Sequence, residues 1–494
     1  VTDWVWHVTP AGRALFGDRP PPLAGEVVKQ NLQRTVRRAT VGGVAVFVKA
    51  CRPNTPRGWL RDLVRGPKAR LEFAAAARLG KLGIPCVEPL AWGRPAGFLP
   101  AESVLVTRAA AGEPLAERFG RELSPADRRD LADRLACLML DLHAAGVTHP
   151  DPHPGNFLVH DAEPLRLLDL HDLRFGRPLT EPEVVRNLVL LNRFFQLRAT
   201  RTDRRRFWHM YRVAGGHDGT SRRSGELARL IEGQTCESNR RFWAARVKRH
   251  LGDNRDTRRV RGPAARGWAA RDLPPDLLAT WLADPDAPFR TGAVVKDSRT
   301  STVARVDTPV GPVAYKRFNC KSWLLPLKAL GRRPPAVRSW LAGHALRDRD
   351  LPTARPLACF QRRRLGLPTA GYLVCEWLPD AEELRDGRCA DELGRTLRRM
   401  HDRAVRHRDL KAANVLVQVG RPVFIDLVGV TAGPPVPDAE RVRNLARLAR
   451  SFVGSARVRN ADRLRLLRAY LGPTHHNRWK EWWRSVASVV RQRL

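Results

Sequence analysis

The sequence has little that would cross-link it or carry it through a bilayer. Eight cysteines stand singly at 51, 86, 137, 236, 320, 359, 375 and 389, and no two form a CxxC pair. That excludes the usual structural zinc pairs and reads as buried thiols in a reducing compartment, hence a cytoplasmic protein. No run of about 18 uncharged apolar residues occurs, so no transmembrane helix is expected. The stretch VTDWVWHVTPAGR lacks the basic-then-apolar order of a signal peptide. Lysine is scarce: only 11 of the 88 basic residues are lysine.

What is present is a large excess of positive charge. The net charge of +38 attracts polyanions such as nucleic acid, anionic lipid, nucleotide or a phosphorylated substrate. Arginine suits bidentate phosphate contact, although a GC-rich genome produces the same bias. An RNA-binding role would rest on charge alone, because no aromatic and basic residues interleave as in a known RNA module, and nucleic acid is not an expected partner. With 494 residues and 43% apolar content, two or more folded domains are expected.

The chain is written twice. VVKQNLQRTVRRATVGGVAVFVK (27–49) aligns without a gap to VVKDSRTSTVARVDTPVGPVAYK (294–316), with eight of 23 positions identical. Further on, Leu142-His143 meets Met400-His401, and HPDPHPGNFLV (149–159) meets HRDLKAANVLV (407–417). RNLVLLNRFF from Arg186 pairs with RNLARLARSF from Arg443, and a run ending at Tyr211 echoes one ending at Tyr470. Such a period is too long for a solenoid and fits two copies of one domain. Each copy reads as a hairpin sheet, a helix, further strands, an HxD loop, a short strand ending in Asp, then closing helices. The expected division is a domain over 1–250, a basic Arg-, Gly- and Pro-rich connector over 251–290, and a domain over 291–494.

Taken alone, His149, Asp151 and His153 suggest a metal triad, but no second ligand cluster accompanies them. The order of a strand lysine, a helix glutamate, HxDxxxxN and a strand-end Asp fits phosphoryl transfer instead. A lysine neutralises phosphate charge, and a helix carboxylate holds that lysine. A loop Asp orients the acceptor hydroxyl and takes its proton. An Asn five residues later and the strand-end Asp supply hard oxygen ligands for magnesium. In the first copy these are Lys49, Glu72, Asp151, Asn156 and Asp169; in the second, Lys316, Asp409, Asn414 and Asp426.

On HPDPHPGNFLV, LLDLHDLRF and RNLVLLNRFFQLRATRTDRRRF, and on HRDLKAANVLV, FIDL and RNLARLARSF, the sequence resembles the lipopolysaccharide kinases, the group of Kdo and heptose kinases. The resemblance covers roughly 30–215 and 295–472. It implies an α+β chain of two tandem protein-kinase-like bilobal domains, each with a small β-rich N-lobe and a helical C-lobe. It further implies ATP with Mg2+, and phosphate transfer to a sugar hydroxyl of an anionic glycolipid acceptor at the inner face of the cytoplasmic membrane. In the second copy HRDLK is also the protein-kinase loop, in which Lys411 contacts the transferring phosphate. HxDxHPGN occurs as well in aminoglycoside phosphotransferases and in the ubiquinone-associated atypical kinases, but no Lys-Gly-Gln motif of the latter is present.

Two departures stand out. Neither hairpin has a GxGxxG loop; VRRATVGG (36–43) and VARVDTPVG (303–311) come nearest. The second copy has Ser339 where the first has Glu72, which motivates an alternative reading as a pseudokinase scaffold. Trp479, Trp482, Trp483, Val486, Val489 and Val490 form one helical stripe, either a membrane-surface face or a packing face, with packing preferred. The clusters Arg204–Arg206 and Arg258–Arg261 are either solvated faces or contacts for phosphates.

Overall fold

The computed structural model describes residues 3–30, 34–97, 100–319, 333–364 and 367–492. It divides into two compact units, Val1–Ser238 and Asn239–Leu494. Each has an antiparallel sheet followed mainly by helices, a mixed α/β architecture.

The first unit opens with β1 (Trp4–Val8) and α1 (Pro10–Phe16), then β2 (Glu26–Gln30), β3 (Arg34–Val41) and β4 (Val44–Cys51). Next come α2 (Pro56–Arg65), α3 (Lys68–Lys81), β5 (Pro89–Pro95) and β6 (Ser103–Arg108). The sheet order is β1-β5-β6-β4-β3-β2. The two-residue turn between β3 and β4 is Gly42-Gly43, both at positive φ (53° and 79°), as a tight hairpin requires. VRRATVGG is thus strand and hairpin turn. The connection from β2 to β3 includes residues 31–33, which lie outside the described residues.

Alternation along β4 sorts its side chains. Val46, Val48 and Ala50 pack into one core with Phe16, Leu90 and Val106, which leaves Lys49 on the opposite face, under α3. The buried stripe of α3 is Ala69, Glu72, Ala75, Ala76 and Leu79, so Glu72 sits mid-stripe rather than on a solvated face. The helical part is led by Pro125–Ala144, Glu181–Arg198 and Arg201–Ala214. Each begins at a Ser or Thr capping box: Ser124 with Asp127, Thr180 with Glu183, and Thr200 with Asp203. Their inner faces form the largest apolar cluster of the unit, around Leu135, Met139, Leu142, Leu188 and Trp208.

The second unit has a seven-stranded sheet in the order Thr257–Arg261, Ala265–Ala270, Pro356–Arg364, Leu367–Glu376, Val313–Phe318, Ser301–Val306, Ala293–Asp297. Val303 lies opposite Lys316 as Val36 lies opposite Lys49, so the strands keep the register of the repeat. The 251–290 stretch is not a surface connector. Two of its segments are a hairpin of that sheet, and Pro275–Ala283 buries Leu278, Trp281 and Leu282 in the core beneath. Ala265 and Ala269, on one face of the second strand, turn into that core, while Arg259, Arg261 and Arg266 stay exposed. The boundary accordingly falls at Ser238/Asn239, inside the helix Arg222–Arg249, rather than at 250. The C-terminal helix Trp479–Arg491 buries Trp482 and packs Trp479, Trp483 and Val486 on the unit's core, so its stripe is a packing face.

Candidate functional site

In the first unit, Lys49 Nζ lies 2.5 Å from Glu72 Oε1, and both side chains are buried. The pair forms where β4 and α3 each turn one charged residue inward, between the apolar Ala69, Phe73, Trp92 and Leu105 on one side and Asp169 and His171 on the other. An unpaired charge there would be costly, so each residue fixes the other.

Asp169 follows the strand Arg166–Leu167 and takes the left-handed conformation (φ 57°, ψ 59°). Asp426 in the second unit does the same (φ 53°, ψ 61°). The two aspartates thus share one uncommon backbone conformation at equivalent points of the repeat. Asp169 Oδ1 receives His171 Nδ1 at 2.9 Å, and Oδ2 receives Arg34 Nη1 at 3.2 Å. Burial pushes this carboxyl up, but the His171 bond and the Arg34 and Lys49 charges outweigh it and hold it well below the usual carboxylate range. Oxygen and nitrogen ligand atoms of Glu72, Asp169 and His171 lie within 4.8 Å of one another.

The loop between them is set by backbone bonds. Asp151 N–H donates to His149 Nδ1 at 3.2 Å, which turns the imidazole inward and leaves Asp151 exposed. Asn156 Nδ2 donates to Asp151 O at 3.1 Å, so its amide oxygen is the atom left to ligate. Leu168 N–H donates to Asn156 O at 2.8 Å, bringing Asn156 alongside the residue before Asp169. His153 accepts Gly155 N–H at 3.0 Å and turns its ring edge to Phe194. His149, Asp151 and His153 therefore do not converge on a metal. The carboxylate of Asp169 and the amide oxygen of Asn156 are hard donors, which fits Mg2+.

The second unit repeats the loop: Asp409 N–H donates to His407 Nδ1 at 3.2 Å, and Asn414 Nδ2 to Asp409 O at 2.8 Å. Ile425 N–H donates to Asn414 O at 3.0 Å. Lys411 Nζ stands 3.1 Å from Asp409 Oδ2. Burial raises the Asp409 carboxyl, but Lys411 and Asn414 carry it below its ordinary value. The lysine pairing differs. Lys316 Nζ reaches Asp426 Oδ1 at 2.8 Å, and Ser339, at the place of Glu72, is buried among apolar residues of the helix Pro335–Asp348.

A family model described as "Lipopolysaccharide kinase (Kdo/WaaP) family" matches residues 26–211 and 320–470. The chain belongs to that family. It is 38% identical over 140 residues to a 3-deoxy-D-manno-octulosonic acid kinase of Stenotrophomonas maltophilia, covering 26% of this chain and 55% of that protein. It is 32% identical over 228 residues to the lipopolysaccharide core heptose(I) kinase WaaP of Pseudomonas aeruginosa, covering 40% and 83%. The chain thus spans about half the length of the octulosonic acid kinases it matches. A solved structure of the bifunctional kinase-methyltransferase WbdD aligns at 18% identity with a TM-score of 0.28, covering 42% of this chain and 43% of that one.

Several side chains at this family member's site were not singled out as functional from sequence. Arg34 and His171 hold Asp169, yet the repeat puts Ser301 and Val428 in their places, so comparison of the copies could not mark them. The Arg193 guanidinium feels the charge of Asp151 and is itself lowered by burial. His143, Asn187 and Tyr211 are shared by both copies and meet in one buried network. Asn187 Nδ2 donates to His149 O at 2.8 Å, and its Oδ1 faces His143 Nε2 at 3.0 Å. That makes Nε2 the protonated nitrogen and leaves Nδ1 to accept the Tyr211 hydroxyl at 2.9 Å. In the second unit His401 Nδ1 and the Tyr470 hydroxyl are 2.8 Å apart, and Asn444 Oδ1 accepts His407 N–H at 3.1 Å. A polar stack thus supports the HxD loop from below in both units.

Proposed function

We propose that the chain is a tandem protein-kinase-like phosphotransferase that moves the γ-phosphate of ATP to a sugar hydroxyl of a lipopolysaccharide-core-type glycolipid. The buried Lys49–Glu72 pair beside the left-handed Asp169 carries this reading, because positioning and charge neutralisation are what phosphoryl transfer asks of a protein. Lys49 clamps the nucleotide phosphates, and Glu72 keeps its ammonium in place. Asp151 receives the acceptor's hydroxyl proton as the new P–O bond forms and the bond to the nucleotide breaks. Asn156 and Asp169 hold Mg2+, which supplies neutralisation of the developing phosphate charge. Arg34 and His171 keep Asp169 ionised. In the second unit Lys316, Asp409, Lys411, Asn414 and Asp426 take the corresponding places.

The family membership and the kinase names of its relatives support the sugar acceptor. The net charge of +38 supports an anionic acceptor and a peripheral place at the inner face of the cytoplasmic membrane. No described helix is long and apolar enough to cross a membrane. A second reading, for the second unit only, is a nucleotide-binding scaffold without turnover. It rests on the Lys316–Asp426 contact, in which the lysine occupies the carboxylate that would otherwise ligate the ion.

The test supplies radiolabelled ATP and Mg2+ with a lipid and core-sugar extract to the intact chain and to its Asp151→Asn and Asp409→Asn variants. Label entering a glycolipid fraction, and lost in Asp151→Asn, is the expected result. No label in any fraction, together with no rise in melting temperature on adding magnesium-ATP, overturns the enzyme reading.

A further inference from the structure

Helix α2 is built inside out. Thr55 caps it by accepting Gly58 N–H at 3.1 Å, and Gly66 (φ 85°) ends it, so the helix is well defined. Its one buried residue is Asp62, bonded by Arg61 Nε at 3.0 Å. Its apolar residues point outward: Trp59 is 43% exposed, Leu60 63%, Leu63 63% and Val64 76%. At positions i, i+1, i+4 and i+5 these four form one continuous stripe. A stripe of that size on an otherwise satisfied helix marks a surface that is covered in use.

The surroundings say by what. Arg57, Arg65 and Arg70 are exposed around the stripe, and a groove beside it is lined by Val5, Leu63, Val64, Arg65, Arg70 and Arg94. A second copy of this chain, at +38, would bring arginine against arginine. A bilayer with anionic headgroups matches both halves of the pattern: shallow apolar insertion, with tryptophan at headgroup depth and guanidinium groups on phosphates. We propose that α2 docks this unit onto an anionic phospholipid surface. This rests on the peripheral placement above and adds the element that makes the contact. The consequence for the site follows from connectivity. Only Gly66 and Pro67 separate α2 from α3, which carries Glu72, and Arg65 Nη1 stands 3.6 Å from Asp172 Oδ1, three residues past Asp169. Docking through α2 holds the mouth of the Lys49–Asp169 site next to the bilayer, where a membrane-embedded sugar acceptor would be presented.

The experiment is co-sedimentation of the full chain with vesicles of phosphatidylethanolamine and phosphatidylglycerol, or of phosphatidylcholine alone, without nucleotide. The variants are Leu60→Asp/Leu63→Asp and Arg57→Gln/Arg70→Gln; all four side chains are exposed, so an unchanged melting temperature shows that folding is intact. The expected result is binding to the phosphatidylglycerol vesicles that falls about tenfold or more in the leucine variant, and falls less in the arginine variant. Wild-type binding left unchanged by both variants overturns the role of α2 but keeps the peripheral placement. No wild-type binding overturns both. A wild-type dimer that becomes monomeric in the leucine variant, with no vesicle binding, assigns the stripe to a second copy and also overturns the proposal.

Discussion

Removing Glu72 should destabilise the first unit far more than removing the whole Lys49–Glu72 pair, with the same effect on activity. Glu72→Ala leaves the Lys49 ammonium beside Ala69, Phe73, Trp92 and Leu105 with its direct counter-charge gone and only the Asp169 carboxylate, already bonded by Arg34 and His171, to offset it. Breaking a buried pair in this way costs about 3–5 kcal/mol. For a unit of this size that is a fall of about 6–20 °C in its melting transition. The double variant Lys49→Met/Glu72→Leu replaces both charges with apolar groups of similar volume, so it should unfold within about 1 kcal/mol of the native chain or be more stable. Lys316→Met is the control, since the Lys316–Asp426 pair is more open (side chains 16% and 31% exposed) and should change stability by about 1 kcal/mol or less. Calorimetry of the full chain reads the stability, and transfer of label from ATP reads the activity. Lys49→Met/Glu72→Leu and Glu72→Ala should both lose transfer. If Glu72→Ala costs no more than Lys316→Met, or if the double variant is as unstable as the single, the pair is not the desolvated clamp described above.

Asn187→Leu removes the bond to His149 O and strands the His143 Nε2–H, so it should cost about 2–4 kcal/mol. Because the network supports the loop without touching the nucleotide, kcat should fall while KM for ATP changes little. Stability should also fall as pH drops below neutral. Burial holds His143, His149 and His407 below the usual imidazole value and His401 down to about 3. The unfolded chain takes up protons below about pH 6.5 where these folded groups do not, so the unfolded state gains. For His401 alone that loss is about 2 kcal/mol at pH 5 and grows until the folded value near 3 is passed, read as the urea midpoint against pH.

What could be read in advance was whatever the repeat wrote twice in a local pattern. The HxD loop, its Asn and the strand-end Asp lie in one short stretch of chain, 149–169 and 407–426, and two bonds, Leu168 to Asn156 and Ile425 to Asn414, draw the Asn alongside the residue before each Asp. Glu72 needed a helix phase, and the Ala-rich stripe of α3 supplied one. Contacts across 135 residues, such as Arg34 with Asp169, left no local trace. The 251–290 stretch misled because its arginines sit at the edge of a sheet while alanines, which add little hydropathy, do the burying. The sequence offered the tryptophan-rich C-terminal helix as either a membrane face or a packing face, with packing preferred. Its stripe packs on the second unit's own core, whereas the apolar stripe of α2 is left exposed by the described residues.

The difference between the two units comes down to which carboxylate the strand lysine finds. In the first unit the helix supplies Glu72 from within the apolar stripe, and Arg34 and His171 hold Asp169 separately. Lysine and aspartate there are near neighbours with independent partners, so an arriving cation competes with an arginine and a histidine rather than with the clamp itself. In the second unit Ser339 stands on the helix, Ser301 replaces Arg34 and Val428 replaces His171. All three outside partners are lost together, and the remaining two charges close on each other as Lys316–Asp426. A nucleotide with its ion must then part that pair before either residue can act. The loop Asp409, Asn414 and Lys411 stays intact beside it. The second unit has therefore kept the loop residues to which the proposed function gives the acceptor and lost those that hold Lys316 and Asp426 apart, so nucleotide is where the two units should differ most.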